Sequence, residues 1–154
     1  MTYVVIRVRG QPDVNYNIEY TMGLLGLNKV NNCAVIPESP STKGRLQVIK
    51  DYCTWGEIDQ DTLAKLLRER GKVVGDKPLN DEYLAKNSSF KTVDAMAQAV
   101  IDNNCKIKDI VGLKPVFRLH PPIKGYEGNK RSFQNGGALG YRGAKINDLV
   151  NRMI

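Results

Sequence analysis

The sequence has very few of the residues on which most catalytic and metal sites depend. It contains one histidine, His120, and three cysteines, Cys33, Cys53 and Cys105, which lie far apart and include no CxxC pair. Structural zinc sites use closely spaced Cys and His, and disulfide frameworks use an even number of cysteines, so neither is expected. We therefore predict free, buried thiols, and no metal and no cofactor.

Long apolar runs and catalytic motifs are also missing. No run approaches the roughly 18 apolar residues of a membrane-spanning helix, and the N-terminus lacks the apolar stretch of a signal peptide. The motifs GxGxxG, GxxxxGK[ST], GxSxG and HExxH do not occur. The sequence thus predicts a cytoplasmic protein that is no enzyme and has no membrane partner and no small-molecule substrate. A small cytosolic enzyme that uses His120 as a base is the weakest alternative.

Acidic residues are scarce in one part of the chain only. The formal net charge is +7, yet residues 1–58 carry 6 basic and 5 acidic groups, and residues 59–113 carry 9 of each. Residues 114–154 carry 8 basic and 2 acidic groups. A surplus confined to one segment indicates an electrostatic footprint for a polyanion, whereas a uniform surplus would only favour solubility.

Hydrophobic patterning predicts an α+β fold with a ferredoxin-like β-α-β-α-β core at residues 1–58. Tyr3–Arg9 alternates as a half-buried strand with one apolar face, Asn15–Lys29 follows a helical period, and Asn31–Pro37 is a second strand. A turn at Ser39–Ser41, a second short helix and a strand at Cys53–Ile58 complete the pattern. Helices between such short strands cover one face of a small sheet, and leave the other for a partner or another layer.

The rest of the chain divides into two segments. Residues 59–113 read as a helical insertion packed on the core, with helices after Asp59, at Asn80–Lys86 and at Thr92–Asn104. Residues 114–154 read as a strand, a basic Gly-rich RNA-binding loop and a C-terminal docking helix at Ala144–Met153. We expect the three segments to form one compact unit.

The Gly-rich segment Phe117–Gly143 favours nucleic-acid binding. Its lysines and arginines suit phosphates, its glycines permit close backbone approach, and Phe117, Tyr126, Phe133 and Tyr141 offer faces on which bases could stack. The alternatives from these residues alone are a mobile basic loop without a partner and, for Phe117 and Tyr141, places in the core.

Several separated stretches, in order, resemble one family across essentially the whole chain. They are the opening VIRVRG, Gly23–Pro37, RLQVIKDYCTWGEID (Arg45–Asp59), FRLHPP (Phe117–Pro122) and GGALGYRGAKINDLVNRM (Gly136–Met153). The chain closely resembles the archaeal form of large-subunit ribosomal protein L-thirty, whose eukaryotic counterpart is L-seven. The resemblance implies a structural constituent of the large ribosomal subunit that binds large-subunit rRNA, lies near 5S rRNA, contacts neighbouring ribosomal proteins and has no catalytic activity.

The same resemblance implies a set of rRNA contacts. It includes basic and polar residues of the first strand, of the turn after the first helix, of the second helix and of the C-terminal segment, namely Arg7, Arg9, Lys29, Asn31, Lys43, Arg45, Lys50, Arg118, His120, Lys124, Lys130, Arg131 and Arg142. Relatives often have a basic residue directly after the two prolines, where this chain has Ile123, so the contact is expected to shift to Lys124. An RNA-binding regulator outside the ribosome remains the alternative function.

Overall fold

The computed structural model describes all 154 residues, which form five strands and six helices. The strands are β1 (Thr2–Arg7), β2 (Asn32–Pro37), β3 (Cys53–Glu57), β4 (Val116–Arg118) and β5 (Gly140–Tyr141). The helices are α1 (Tyr16–Leu24), α2 (Pro40–Val48), α3 (Gln60–Arg70), α4 (Asp81–Asn87), α5 (Val93–Ile101) and α6 (Ile146–Met153). None of the helices is both long and apolar enough to cross a membrane.

One mixed sheet, in the order β4-β2-β1-β3-β5, organises the molecule. The central strand β1 is antiparallel to both β2 and β3, so that the first 57 residues form the predicted β-α-β-α-β pattern. The antiparallel β4 and the parallel β5 then occupy the two edges. The prediction of an α+β, ferredoxin-like fold is confirmed.

The expectation of a half-buried first strand is wrong, because helices cover both faces of the sheet. All six residues of β1 are buried. Val4 and Ile6 point into a large core formed with α3, α5 and α6, whereas Tyr3 and Val5 point into a smaller core beneath α1 and α2. The helices of residues 59–113 thus supply the additional layer for which the sequence left room.

Two boundaries on the α1–α2 side differ from the sequence pattern. Helix α1 ends at Leu24 instead of Lys29, because Gly26 turns the chain with a φ of +78° and passes close to Val116. The expected turn at Ser39–Ser41 is the start of α2, since the Ser39 hydroxyl accepts from the Thr42 amide at 3.1 Å and Pro40 occupies the first helical turn.

The C-terminal segment is part of the sheet and of the core. It contributes both edge strands, and α6 buries Ile146, Leu149, Val150 and Met153 in the large core. Buried Asn147 ties α6 to the start of α3, because its carboxamide oxygen accepts from the Asp59 amide at 3.0 Å. Since the three segments complete one another's cores and edges, we infer that they fold as one unit.

Candidate nucleic-acid interface

Four chain segments meet at one end of the sheet. The pairs Arg7 with Cys53, Asn32 with Arg118, and Thr54 with Gly140 place the end of β1, the starts of β2 and β3, and the end of β4 side by side. We call this region the loop end and define it as Arg118 with residues 8–15, 28–31, 49–52 and 119–139. Segments far apart in the sequence thereby share one surface.

Six of the predicted contact residues are exposed cations at the loop end. They come from three of its segments and from the end of β4, none of them forms an ion pair, and they are Lys29, Lys50, Arg118, Lys124, Lys130 and Arg131. Arg9 lies beside them, with its guanidinium 5.0 Å from the centre of the Tyr52 ring. Only three acids lie in these segments, Asp13, Asp51 and Glu127, so the surface is strongly positive.

The long segment 119–139 is held in place by specific contacts. The Tyr126 hydroxyl donates to Oδ1 of Asn31 at 2.7 Å, and burial raises the pKa of Tyr126. Amides of Ala138 and Leu139 donate to the carbonyls of Gly128 and Arg131 at 3.2 and 3.1 Å, which closes the tip of the loop. Asn31 is therefore a joint between two loops, and Lys130 and Arg131 project from a folded turn.

Two predicted contact residues are buried inside the protein. Arg7 has no exposed surface, and Arg142 is only 7% exposed. The guanidinium of Arg142 donates to Thr54 Oγ1 at 2.9 Å and to the Ala138 carbonyl at 2.8 Å, and it lies 5.0 Å from the Phe133 ring. Burial lowers the pKa of Arg142. Both arginines therefore donate their hydrogen bonds to groups inside the fold, and neither places its charge at the surface.

His120 is also engaged within the chain. Its Nε2 lies 2.6 Å from an oxygen of Ile154 and its Nδ1 lies 2.8 Å from the Pro121 carbonyl, which orients the half-buried ring. No cysteine shares a hydrogen bond with it. The arrangement joins the start of segment 119–139 to the end of α6.

Lys43 and Arg45 lie away from the loop end. Both belong to α2, which begins after the opposite end of β2, and Lys43 Nζ contacts Glu38 Oε1 at 2.6 Å. This hydrogen bond lowers the pKa of Glu38 and raises that of Lys43. Arg45 lines a groove on another side of the molecule. The structure therefore divides the predicted contact residues among three environments.

The aromatic residues of the segment Phe117–Gly143 also differ in burial and in their partners. Phe117 is fully buried, and the exposed Tyr141 donates its hydroxyl to Glu57 Oε1 at 2.6 Å, which raises the pKa of Tyr141 to about 12. The Lys145 ammonium lies 5.6 Å from the Phe133 ring. Lys145 is an exposed cation that the sequence-based set omits, although its place in the basic last 41 residues could have indicated it.

Comparison with known proteins agrees with this architecture. Residues 3–53 match the family model described as "Ribosomal protein L30p/L7e". "Large ribosomal subunit protein uL30" of Methanosphaera stadtmanae is 47% identical over 152 residues, which are 99% of each chain. Proteins of the same name from Methanobrevibacter smithii and Methanococcus maripaludis are each 49% identical, over 99% and 100% of each chain.

The chain belongs to the uL30 family. The identity is 47–49% and extends along the full length of the chains. The relatives are archaeal, and the predicted resemblance to the archaeal form is therefore confirmed. The uL30 family consists of ribosomal proteins and not of enzymes, so the expectation that the chain has no catalytic activity is confirmed. The assignment to the uL30 family rests on sequence identity and does not use the geometry of the loop end.

Proposed function

We propose that the chain is a structural constituent of the large ribosomal subunit and binds large-subunit rRNA through the loop end. The single observation that carries the RNA contact is the convergence of six exposed, unpaired cations from separate segments on one surface. The relatives' name, "Large ribosomal subunit protein uL30", supports the assembly in which the contact is made. We propose in addition that the chain lies near 5S rRNA.

Phosphate neutralisation explains how such a surface binds. Each lysine or arginine that meets a phosphate releases condensed counterions, and this release favours binding at low salt. For about six contacts the affinity should fall by about a thousandfold between roughly 50 and 200 mM salt. The hydrogen bonds that close segment 119–139 reduce the ordering entropy that binding would otherwise cost.

The proposed contact set is narrower than the one expected from sequence. It comprises Arg9 and the six exposed cations of the loop end, and it leaves out Arg7 and Arg142, whose guanidinium groups are buried. Asn31 and His120 position the surrounding backbone and remain contact candidates only through their half-exposed edges. Lys43 and Arg45 would require a second RNA contact on α2.

A salt titration tests the proposal. Filter binding of the full chain to a large-subunit rRNA fragment should give a steep fall of log K with log salt. In the variant Arg118→Ala/Lys130→Ala/Arg131→Ala we expect the magnitude of this slope to decrease by about 3, roughly one for each lost phosphate contact. The matched control Lys77→Ala/Lys86→Ala/Lys91→Ala removes three exposed lysines of the helical insertion and should keep the slope. Equal slopes in the two triple variants would refute an RNA contact at the loop end.

Two further measurements test whether the chain is a constituent of the ribosome and whether it lies near 5S rRNA. Co-sedimentation with large subunits after a high-salt wash distinguishes a constituent from an RNA-binding regulator outside the ribosome, which would wash off. A photo-crosslinker at Lys124 in intact subunits should label 5S rRNA or the rRNA next to it. Labelling of distant rRNA alone would contradict the proposed neighbourhood.

A further inference from the structure

One edge of the sheet is only half covered. Strand β4 pairs with Asn32, Cys33 and Ala34 of β2, and the remaining residues Val35–Pro37 have no strand beside them on that edge. Continuing the register would place Pro115 opposite Val35, and proline has no N–H to donate. The pairing therefore stops where the chain can no longer support it.

The hydrogen-bonding groups of Val35 face this open edge. On the β1 side, the Glu38 amide donates to the Met1 carbonyl at 3.1 Å. On the β4 side, the Asn31 carbonyl accepts from the Leu119 amide at 3.2 Å. Successive residues of an antiparallel strand direct their backbone groups to opposite sides. Val35 and Pro37 therefore face away from the β1 side, in the direction of the Asn31 carbonyl. The N–H and C=O of Val35, and the C=O of Pro37, are left to a further extended chain.

A groove of about 500 Å³ runs along this edge, between the two helical layers. We call it the edge groove. One wall is formed by Leu24 and Leu25 at the end of α1, and the other by Ile107. Val116 closes it at the start of β4. The floor of the groove is the edge of β2, and polar residues such as Thr42 and Asn103 lie among its apolar walls. The groove therefore has the form of a slot for one strand.

The rim of the edge groove is positively charged. Arg45 of α2 lies on one side, Lys106 and Lys108 lie on the other, and no acidic residue lines the groove. The three side chains are exposed and take part in no ion pair. The nearby Asp109 accepts from the Lys106 backbone amide and forms no ion pair with the rim, so a ligand with negative charge on both flanks would be complementary.

We propose that the edge groove binds an extended, acidic segment of another protein, which adds as a short strand to the open edge of β2. The backbone groups of Val35 would pair with the segment's main chain, its apolar side chains would enter between Leu25 and Ile107, and its carboxylates would meet Arg45, Lys106 and Lys108. A slot with unpaired strand-edge groups suits a peptide better than RNA, whose bases would stack on aromatic rings that the groove lacks. No loop-end residue lines the groove, so this inference does not depend on RNA binding.

A peptide library tests the proposal on the isolated full chain. The probe is a phage-displayed library of random ten-residue peptides, from which the most enriched sequence is synthesised with a fluorophore and measured by anisotropy. We expect enriched sequences to combine Asp or Glu with alternating β-branched residues. Affinity for the synthetic peptide should fall at least tenfold in Arg45→Glu/Lys106→Glu/Lys108→Glu, and less than twofold in the control Lys77→Glu/Lys86→Glu/Lys91→Glu, which has the same net charge.

A second arm examines main-chain pairing. N-methylation of each peptide amide in turn removes one donor, and at least one position should lower the affinity tenfold or more if the peptide adds as a strand. Unfolding midpoints of both triple variants show whether they fold. The proposal is overturned if no acidic sequence is enriched, if both triple variants lose affinity equally, or if no N-methyl position matters. Displacement by an equal concentration of a ten-nucleotide polyuridine would also overturn it, because the groove would then select negative charge alone.

Discussion

Arg7 donates from Nη2 to Oε2 of Glu19 across 3.2 Å, an ion pair that joins the end of β1 to the first turn of α1. The Arg7 side chain is completely buried, whereas Glu19 is partly exposed. The other donors of Arg7 reach the carbonyls of Leu27 at 2.8 Å and Arg9 at 2.9 Å. One guanidinium therefore binds two backbone carbonyls and one carboxylate beneath the loop end.

Replacing Arg7 should damage stability more than RNA binding. Arg7→Ala leaves the Leu27 and Arg9 carbonyls without a donor and opens a cavity, so we expect a loss of about 2–4 kcal/mol in urea unfolding. The salt slope of RNA binding, measured at a temperature at which the variant is folded, should not change. Arg9→Ala is the neighbouring control, with a loss of about 1 kcal/mol or less from its contact with Tyr52. An unchanged unfolding midpoint with a shallower salt slope would instead make Arg7 an RNA contact.

Arg142 should resist even a change that keeps its charge. Arg142→Lys loses the paired hydrogen bonds to Thr54 and Ala138 and the position beside Phe133, and we expect a loss of about 1–3 kcal/mol. Limited proteolysis should cut residues 119–139 faster in the variant, because Ala138 anchors the end of that segment. The comparison variant Lys145→Arg, at an exposed neighbour of the same ring, should leave both stability and cleavage unchanged. If Arg142→Lys behaved like Lys145→Arg, the buried hydrogen bonds would carry no weight.

Two glycines should respond in opposite directions to the same substitution. A Cβ at Gly56 in β3 would lie 2.0 Å from the Gly143 carbonyl oxygen and 3.0 Å from Ile146 Cβ, so Gly56→Ala must displace the start of α6. We expect it to lower the free energy of unfolding by about 1–3 kcal/mol through overpacking. A Cβ at Gly44 in α2 meets nothing within 4 Å, and Gly44→Ala should stabilise the protein by up to about 1 kcal/mol. Thermal unfolding of both variants is the measurement, and a tolerated Gly56→Ala would mean that α6 packs less closely than described.

The cysteines should differ sharply in reactivity. Cys33 and Cys53 have no exposed surface, and burial raises the pKa of both thiols, that of Cys53 to about 12. Cys105 is half-buried and free. A thiol-specific disulfide reagent at pH 8 should therefore label one thiol quickly in the native chain and all three in urea. Cys105→Ser should abolish the fast phase, whereas rapid labelling of this variant would show that the core opens readily.

The buried thiols of Cys33 and Cys53 predict a loss of stability in alkali. Because their pKa is higher in the folded chain than the ordinary value of 9.0, their contribution is complete below pH 9 and is lost as the pH rises from 9 towards 12. The unfolded chain releases thiol protons in that range that the folded chain retains. Urea midpoints should fall less steeply between pH 8 and 10 in Cys53→Ala than in the unchanged chain. Parallel curves would show that other groups cause the alkaline loss.

Local patterns were sufficient for most of the elements. The alternation in Tyr3–Arg9 and the leucines of α3 reflect periods of two and 3.6 residues, which depend only on neighbouring side chains. They failed where a distant residue decides the outcome. Helix α1 stops early because Gly26 must pass Val116, 90 residues further along the chain. Strand β1 is buried on both faces because α3, α5 and α6 return to cover the face that α1 and α2 leave open.

The candidate surface shows the same division. The basic bias of residues 114–154 and the exposed positions of Arg118, Lys130 and Arg131 agree with the sequence-based expectation of a positive loop. The burial of Arg7 and Arg142 could not be predicted, because an arginine in a strand or a Gly-rich loop has the same local sequence whether its donors meet water or carbonyl groups. Lys29 and Lys50 joined the surface only through the pairing of strands.

By itself, the sequence determined the family, the β-α-β-α-β order and the concentration of positive charge near the C-terminus, because composition and short-range periodicity are properties of neighbouring residues. The tertiary structure alone decided which cations face outward together, which arginines hold the fold, and that the edge of β2 remains open at Val35. Those outcomes follow from strand register and from the burial of polar groups, which couple residues that are distant in the chain.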